Sequence, residues 1–315
     1  MSQTPVFLLT AVRNEAAVID RFLEELSRVF TDGGLLSRMR LIIVDDGSTD
    51  QTIQHIARWS RAHPELSVEV MPLSSNQGNQ SAMAHGVRRL APRLAEAYLL
   101  TFDADGEDDL TRLPQLVRLL DEDPARMVFV YRDGRSEGWI IRVFYWAYRN
   151  AYRWLTGQRL IPCNVMAIPG HMIPAVAGSP LLSLHFSYPP LRLGLPHRAI
   201  PMARRPRYAG RSSQNLGLLI QHGLIGLTVF YEQVVARLIL LSLGVVAVTG
   251  FAAVWIMAVR ILTPHRLPVG LTTTVFVLLI GFGFLSIVLL VVFCLACAIF
   301  RLLMEQARAP QSNGR

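Results

Sequence analysis

Five carboxylates crowd into seven residues of the stretch 99–109, LLTFDADGEDD: Asp103, Asp105, Glu107, Asp108 and Asp109. Like charges this close repel, so the stretch is either a solvated loop or a place where a cation is held. The apolar residues ahead of it read as a buried strand. If the chain stays extended beyond that strand, Asp103, Asp105 and Glu107 alternate onto one side. Oxygen donors of this kind suit Mg2+ or Mn2+, which usually takes one or two carboxylates and completes its shell with substrate phosphates. A cation held there would also offset the charge that grows on a leaving diphosphate.

A second acidic stretch, 41–52, LIIVDDGSTDQT, has the same layout of apolar run followed by acids. A carboxylate at such a strand end can accept from a base N–H or a ribose hydroxyl. Gly47 permits close backbone approach, and Asp50 can cap the helix that follows. The same residues also describe an ordinary capped strand-to-helix turn.

These two stretches need elements to position them. VFLLTAV, LIIVDD, VEVMPL, AYLLTFD and RMVFVYR read as strands, and helical patterns lie between them: EAAVIDRFLEELSRVF, TDQTIQHIARWSRAH, NQSAMAHGVRRLAPRL and LTRLPQLVRLLDED. The alternation implies an α/β fold with a mostly parallel sheet and helices on both faces. Such sheets bind ligands at the carboxyl ends of their strands, where both acidic stretches fall.

The chain is 315 residues long, with a mean hydropathy of +0.34 and a net charge of +8. Charge is uneven: residues 1–138 carry 15 Arg against 21 acids, or −6, and residues 139–315 carry 16 Arg against 2 acids, or +14. A basic, apolar second half points to an anionic membrane surface or anionic substrates rather than to nucleic acid. All 31 basic residues are arginine, whose planar fork suits phosphate. Cys163, Cys294 and Cys297 make a poor disulfide framework, and Cys294 and Cys297 sit in an apolar run as small packing residues. The N-terminus lacks the basic start and apolar core of a signal peptide, so the N-terminal half is expected in the cytoplasm.

Two apolar stretches, 238–262 and 271–300, each exceed the roughly 20 residues that span a bilayer. With arginines before the first and after the second, the positive-inside tendency places both ends in the cytoplasm. Residues 214–237 read as an interfacial helix. The expected organisation is a catalytic domain over 1–213, the interfacial region 214–237, a two-helix membrane hairpin over 238–303 and a tail over 304–315.

The ordered motifs TAVRNEAAVI, IIVDDGSTDQT, SSNQGNQSAMAHG, FDADGEDDL and RRPRYAGRSSQN give the chain a recognisable likeness. It resembles the family 2 glycosyltransferases of GT-A fold, in particular the membrane-anchored branch that includes dolichyl-phosphate mannose synthase and bacterial polyprenyl-phosphate glycosyltransferases. The likeness covers residues 5–237 and extends to the paired spans. It implies that Ala11, Arg13, Glu15, Asp46, Gly78, Asp103, Arg207 and Ser212 contact the nucleotide sugar. It implies Asp105 as main metal ligand and Glu107 as the second, and a catalytic set of Asp103, Asp105, Arg132, Arg142 and Arg211, with the arginines on phosphates.

The reaction so implied moves a sugar from a nucleoside-diphosphate sugar to polyprenyl phosphate with inversion at the anomeric carbon, at the bacterial inner membrane. An ionised phosphate acceptor needs positioning more than a general base, and the metal stabilises the leaving diphosphate. A lipid hydroxyl acceptor would instead require a base such as Asp103 or Asp108. A processive polysaccharide synthase lacks support, since no Q-x-x-R-W motif is present, and an inert membrane scaffold is the remaining alternative. The paired spans leave room for a homo-oligomer.

Overall fold

The computed structural model describes residues 4–133, 139–158, 165–203, 205–208, 226–263 and 269–308. The chain divides into two compact units, 1–142 with 161–225, and 143–160 with 226–315.

The first unit is built on a seven-stranded sheet: β1 Val6–Val12, β2 Met39–Asp45, β3 Ser67–Pro72, β4 Tyr98–Thr101, β5 Met127–Asp133, β6 Val165–Pro169 and β7 His197–Ala203. Their order is β3-β2-β1-β4-β6-β5-β7. The first four strands are parallel, β6 runs antiparallel to β4 and β5, and β7 returns parallel to β5. The connecting helices are α1 Ile19–Asp32, α2 Thr52–Ala62, α3 Asn79–Leu90 and α4 Leu113–Glu122, followed by the long α5 Trp139–Thr156 and the short α6 Ile173–Ala177 and α7 Tyr188–Arg192.

The central strands are apolar at nearly every position because helices cover both faces. On one face Leu8, Leu41, Ile43, Leu100 and Val128 join Phe22, Leu26, Leu113 and Leu116 of α1 and α4 in one buried cluster. On the other, α3 lies so near the sheet that a Cβ on Gly86 would sit 2.7 Å from the Leu9 side chain and 2.9 Å from that of Val44. Leu8 and Leu9 therefore serve opposite layers, as a period of two requires. The sequence-derived strands agree with β1 to β5 within a residue or two except at β4, which stops at Thr101. β6 and β7 had no such signal: VMAIP is short, and HRAIPMA carries a proline on an edge strand, where the missing N–H is tolerated.

The second unit holds most of α5 and two long helices, α8 Tyr231–Leu262 and α9 Val269–Arg308, which pack against each other. Both are long and apolar enough to cross a bilayer, and only 6% of each apolar window is buried. A soluble core helix would be mostly buried, so these helices present their apolar surface outward. Residues 231–237, read from sequence as part of a separate interfacial helix, continue into α8 as one helix. Residues 214–225 lie outside the described residues.

Candidate active site

The acidic stretch after β4 is not extended. The strand ends at Thr101, and the chain turns so that the Glu107 N–H donates to Asp105 Oδ1 at 2.9 Å. The alternation expected for Asp103, Asp105 and Glu107 is thus replaced by an Asx turn, in which a carboxylate accepts from the backbone two residues on. Gly106 occupies φ +82° at its apex, a conformation glycine reaches without a Cβ penalty. A Cβ there would also lie 2.6 Å from the Tyr208 ring. Asp109 accepts from the Thr111 N–H and hydroxyl and so caps a short 3-10 turn, 110–112.

The turn does not face solvent. Glu107 is only 4% exposed and Asp108 1%. Residues 205–208 lie across it as a strap: Arg205 N–H donates to the Glu107 carbonyl (2.9 Å) and Tyr208 N–H to the Asp105 carbonyl (3.1 Å). From that strap the Arg207 guanidinium reaches both acids, at 2.7 Å from Glu107 Oε1 and 3.0 Å from Asp105 Oδ2. Arg205 lies 3.6 Å from Asp109 and pairs with Glu25 of α1, which also accepts from the Tyr208 hydroxyl at 2.7 Å. The Arg21 guanidinium stacks 4.6 Å over the Tyr208 ring.

Two arginines of RRPRYAGRSS thus answer the charge problem posed by the acidic run. Burial, then the neighbouring Asp103, still push the Asp105 carboxyl above its ordinary range, although the Glu107 N–H and Arg207 oppose them. Burial and then Asp105 raise Glu15 likewise, with Arg207 opposing.

Glu15 arrives by a different route. Asn14 takes a positive φ of 54° after β1. Its backbone N–H donates to Ser48 Oγ, and its side-chain carbonyl accepts from the Thr49 N–H at 2.8 Å. Glu15 N–H donates to Thr52 Oγ1 and Ala16 N–H to Asp50 Oδ2. The loops after β1 and β2 are thereby stitched together beside the acidic turn. Asp50 also accepts from the Thr52 N–H and hydroxyl at the start of α2.

Asp46 is 2% exposed, and both its oxygens accept backbone N–H groups from the loop after β3: Gln77 at 2.6 Å and Gly78 at 2.9 Å. These bonds anchor the loop, with Gly78 at φ +86° as the residue before α3, and they hold the carboxylate expected to contact the nucleotide in one orientation. Ala11 is half-buried at the end of β1 and Arg13 is exposed. Arg211 and Ser212 lie outside the described residues, as do the side chains of Arg132 and Arg142, whose backbones belong to β5 and α5. Residue-by-residue reading missed Glu25, Arg205 and Tyr208. The last two stand inside a quoted motif, but nothing in the sequence pairs them with an acid 180 residues earlier.

The donor set fits a hard divalent cation. Among the described residues no three His, Cys, Asp or Glu side chains enclose an ion by themselves. Asp105 and Glu107 nevertheless hold a cationic group between them, the Arg207 guanidinium, and two carboxylates with a diphosphate is a common Mg2+ shell.

The glycosyl transferase family 2 model matches residues 8–175, more than half of the chain, from within β1 through the acidic turn and into α6. The chain belongs to this family. Dodecaprenyl-phosphate galacturonate synthase from Rhizobium johnstonii is 31% identical over 105 residues, a match spanning 33% of this chain and 30% of that protein. The fold matches glucosyl-3-phosphoglycerate synthase from Mycobacterium tuberculosis in complex with UDP at a TM-score of 0.50 and 18% identity, covering 73% of this chain and 80% of that one. A mannosyltransferase from Pyrobaculum calidifontis in complex with GDP-Man and Mn2+ covers 91% of this chain and 87% of its own at 15% identity and a TM-score of 0.48. This family 2 glycosyltransferase therefore carries its acidic turn within the matched region and its strap, 205–208, beyond it.

Proposed function

We propose that this glycosyltransferase moves a sugar from a nucleoside-diphosphate sugar to polyprenyl phosphate, with a divalent metal and with inversion, at a bacterial inner membrane. The observation that carries the reading is the pair Asp105 and Glu107 beneath the Arg207 strap. A buried and a half-buried carboxylate countered by a displaceable guanidinium form a place where a cation and a diphosphate can be exchanged together. When bound, Mg2+ or Mn2+ on Asp105 and Glu107 supplies charge stabilisation for the leaving diphosphate.

The chain's own residues do the rest. Asp46 sets the loop ahead of α3, and the stitched loops around Glu15 shape the nucleotide side. Arg207, released from the carboxylates, becomes a phosphate donor at the edge of the site. Arg132, Arg142 and Arg211, with Ser212, are assigned to donor and acceptor phosphates. A phosphate acceptor is already ionised near neutral pH, so orientation rather than proton abstraction limits the attack. The polyprenyl acceptor is supported by the partial match to a dodecaprenyl-phosphate synthase and by the two bilayer-length helices. The catalytic domain over 1–213 and both chain ends then face the cytoplasm, in service of cell-envelope synthesis.

Radiolabelled nucleotide sugars offered with polyprenyl phosphate, diacylglycerol or ceramide test the acceptor. Label should pass to polyprenyl phosphate alone. Transfer to the hydroxyl lipids instead would replace this reading with glycolipid synthesis. Asp105→Ala should cost at least about a hundredfold in transfer while leaving the circular dichroism spectrum unchanged; full activity in that variant would refute the metal assignment.

A further inference from the structure

A second pair of arginines, Arg153 and Arg237 in the membrane unit, makes no ion pair among the described residues. That unit holds 9 arginines and 2 glutamates, Glu232 and Glu305, a net +7 (9 − 2). Within it α5 turns Tyr152 inward, perpendicular to the Phe230 ring at 6.5 Å between centroids. The opposite side of the helix leaves Trp146 68% and Trp154 52% exposed. Between the second half of α5 and the start of α8 lies an open cavity of about 650 Å³, lined by Asn150, Arg153, Trp154, Arg237, Leu240 and Leu241.

The two guanidiniums of this cavity differ in how they are held. Arg237 donates to the carbonyls of Arg153 (3.2 Å) and Trp154, the first of which already accepts the Gly157 N–H at 2.9 Å; it thereby supplies a donor to the Trp154 carbonyl in the last turn of α5 and fixes its own charge in the cavity wall. The Arg153 guanidinium forms no ion pair among the described residues. Below both lies an apolar wall of Trp154, Leu240 and Leu241, at the beginning of a helix of bilayer length. Exposed tryptophans mark the interfacial level of a membrane, and arginines there meet lipid phosphates.

We infer that this cavity binds the phosphate of an anionic membrane phospholipid, whose acyl chains run along Leu240 and Leu241. Charge complementarity and continuity with the apolar surface of α8 both select this occupant. The site is distinct from the arginines assigned to the acceptor: Arg142 and Arg153 lie eleven residues apart on one helix, a rise of roughly 16 Å. The inference rests on α8 crossing the bilayer, and not on which acceptor is glycosylated.

The test uses the full-length protein in detergent, titrated with phosphatidylglycerol and followed by native mass spectrometry. Phosphatidylcholine serves as the zwitterionic control, and inorganic phosphate and polyprenyl phosphate serve as competitors. One phosphatidylglycerol should be retained per chain, about tenfold more weakly in Arg153→Gln, with most of the affinity restored in Arg153→Lys. Arg153→Gln should keep the wild-type Tm, because its guanidinium supports no other element, so lost binding would not reflect misfolding. Equal affinity in Arg153→Gln, equal affinity for phosphatidylcholine, displacement by inorganic phosphate at matched concentration, or one-for-one displacement by polyprenyl phosphate would each overturn the assignment. Release of the protein from membranes by alkaline carbonate would instead overturn the spanning of α8, a separate and distinguishable failure.

Discussion

At the residue scale the deciding feature is Arg207, which lies between the two carboxylates proposed to hold the metal. On the proposed assignment a guanidinium between Asp105 and Glu107 would compete with a divalent cation for the same oxygens, and the cation would have to displace it. Arg207→Gln should therefore bind Mn2+ more tightly, by roughly three- to tenfold given ~1 kcal/mol for a partly exposed charge-assisted pair, while sugar transfer falls. Titration of the free Mn2+ electron paramagnetic resonance signal would show this, and weaker binding in the variant would mean that Arg207 helps the metal rather than excluding it. Asp50 makes a second residue-scale case. Burial opposes its ionisation, but hydrogen bonds from Thr52 and Ala16 outweigh that and lower its carboxyl below the ordinary value. A carboxyl lowered by folding stabilises the protein above its unfolded pKa, about 4, and loses that contribution as pH falls through the folded value. Asp50→Asn should cost ~1 kcal/mol at pH 7, a Tm drop of about 2–4 °C, and the gap from wild type should close as pH falls through the lowered folded-state value.

At the scale of elements, the acidic turn and the strap act as one piece. Two backbone hydrogen bonds, the Tyr208 ring over Gly106, and the Glu25 contacts to Arg205 and Tyr208 hold the strap against both the turn and α1. A methyl group at position 106 would meet both an unfavourable φ and the Tyr208 ring. Gly106→Ala should destabilise the fold by about 2 kcal/mol, and the lost Tm should be accompanied by lost nucleotide binding. Gly106→Ala combined with Tyr208→Ala should regain part of the Tm, since the ring contact is gone while the backbone penalty stays; no regain would show that the ring is not the obstacle. The five strands and four helices of the first half were legible because their apolar periodicity is regular. β6 and β7 were not: β6 is short and β7 carries a proline, and pairing with β5, not local propensity, makes them strands.

At the scale of the whole molecule, the chain joins a nearly balanced α/β unit to an apolar one that is poor in acids and net basic. α8 and α9 leave Phe251, Leu262, Phe284 and many other large side chains exposed, far more apolar surface than a water-soluble unit tolerates. Expressed at full length, the protein should stay in the membrane pellet through high salt and alkaline carbonate, and come out only with detergent. Recovery in the carbonate supernatant would show instead that this surface is covered by protein.

What the sequence determined by itself is the set of parts: the alternation of strands and helices, the two acidic strand ends, the family they belong to and the two bilayer-length helices. These are local properties, written in periodicity, composition and short motifs. What only the tertiary structure decided is which parts meet. Asp105 and Glu107 point together through a turn and not an extended strand. Their counter-charge comes from Arg207, about a hundred residues away, and Asp46 also anchors the loop before α3. Such pairings depend on how distant segments converge on the sheet, and no run of neighbouring residues records that convergence.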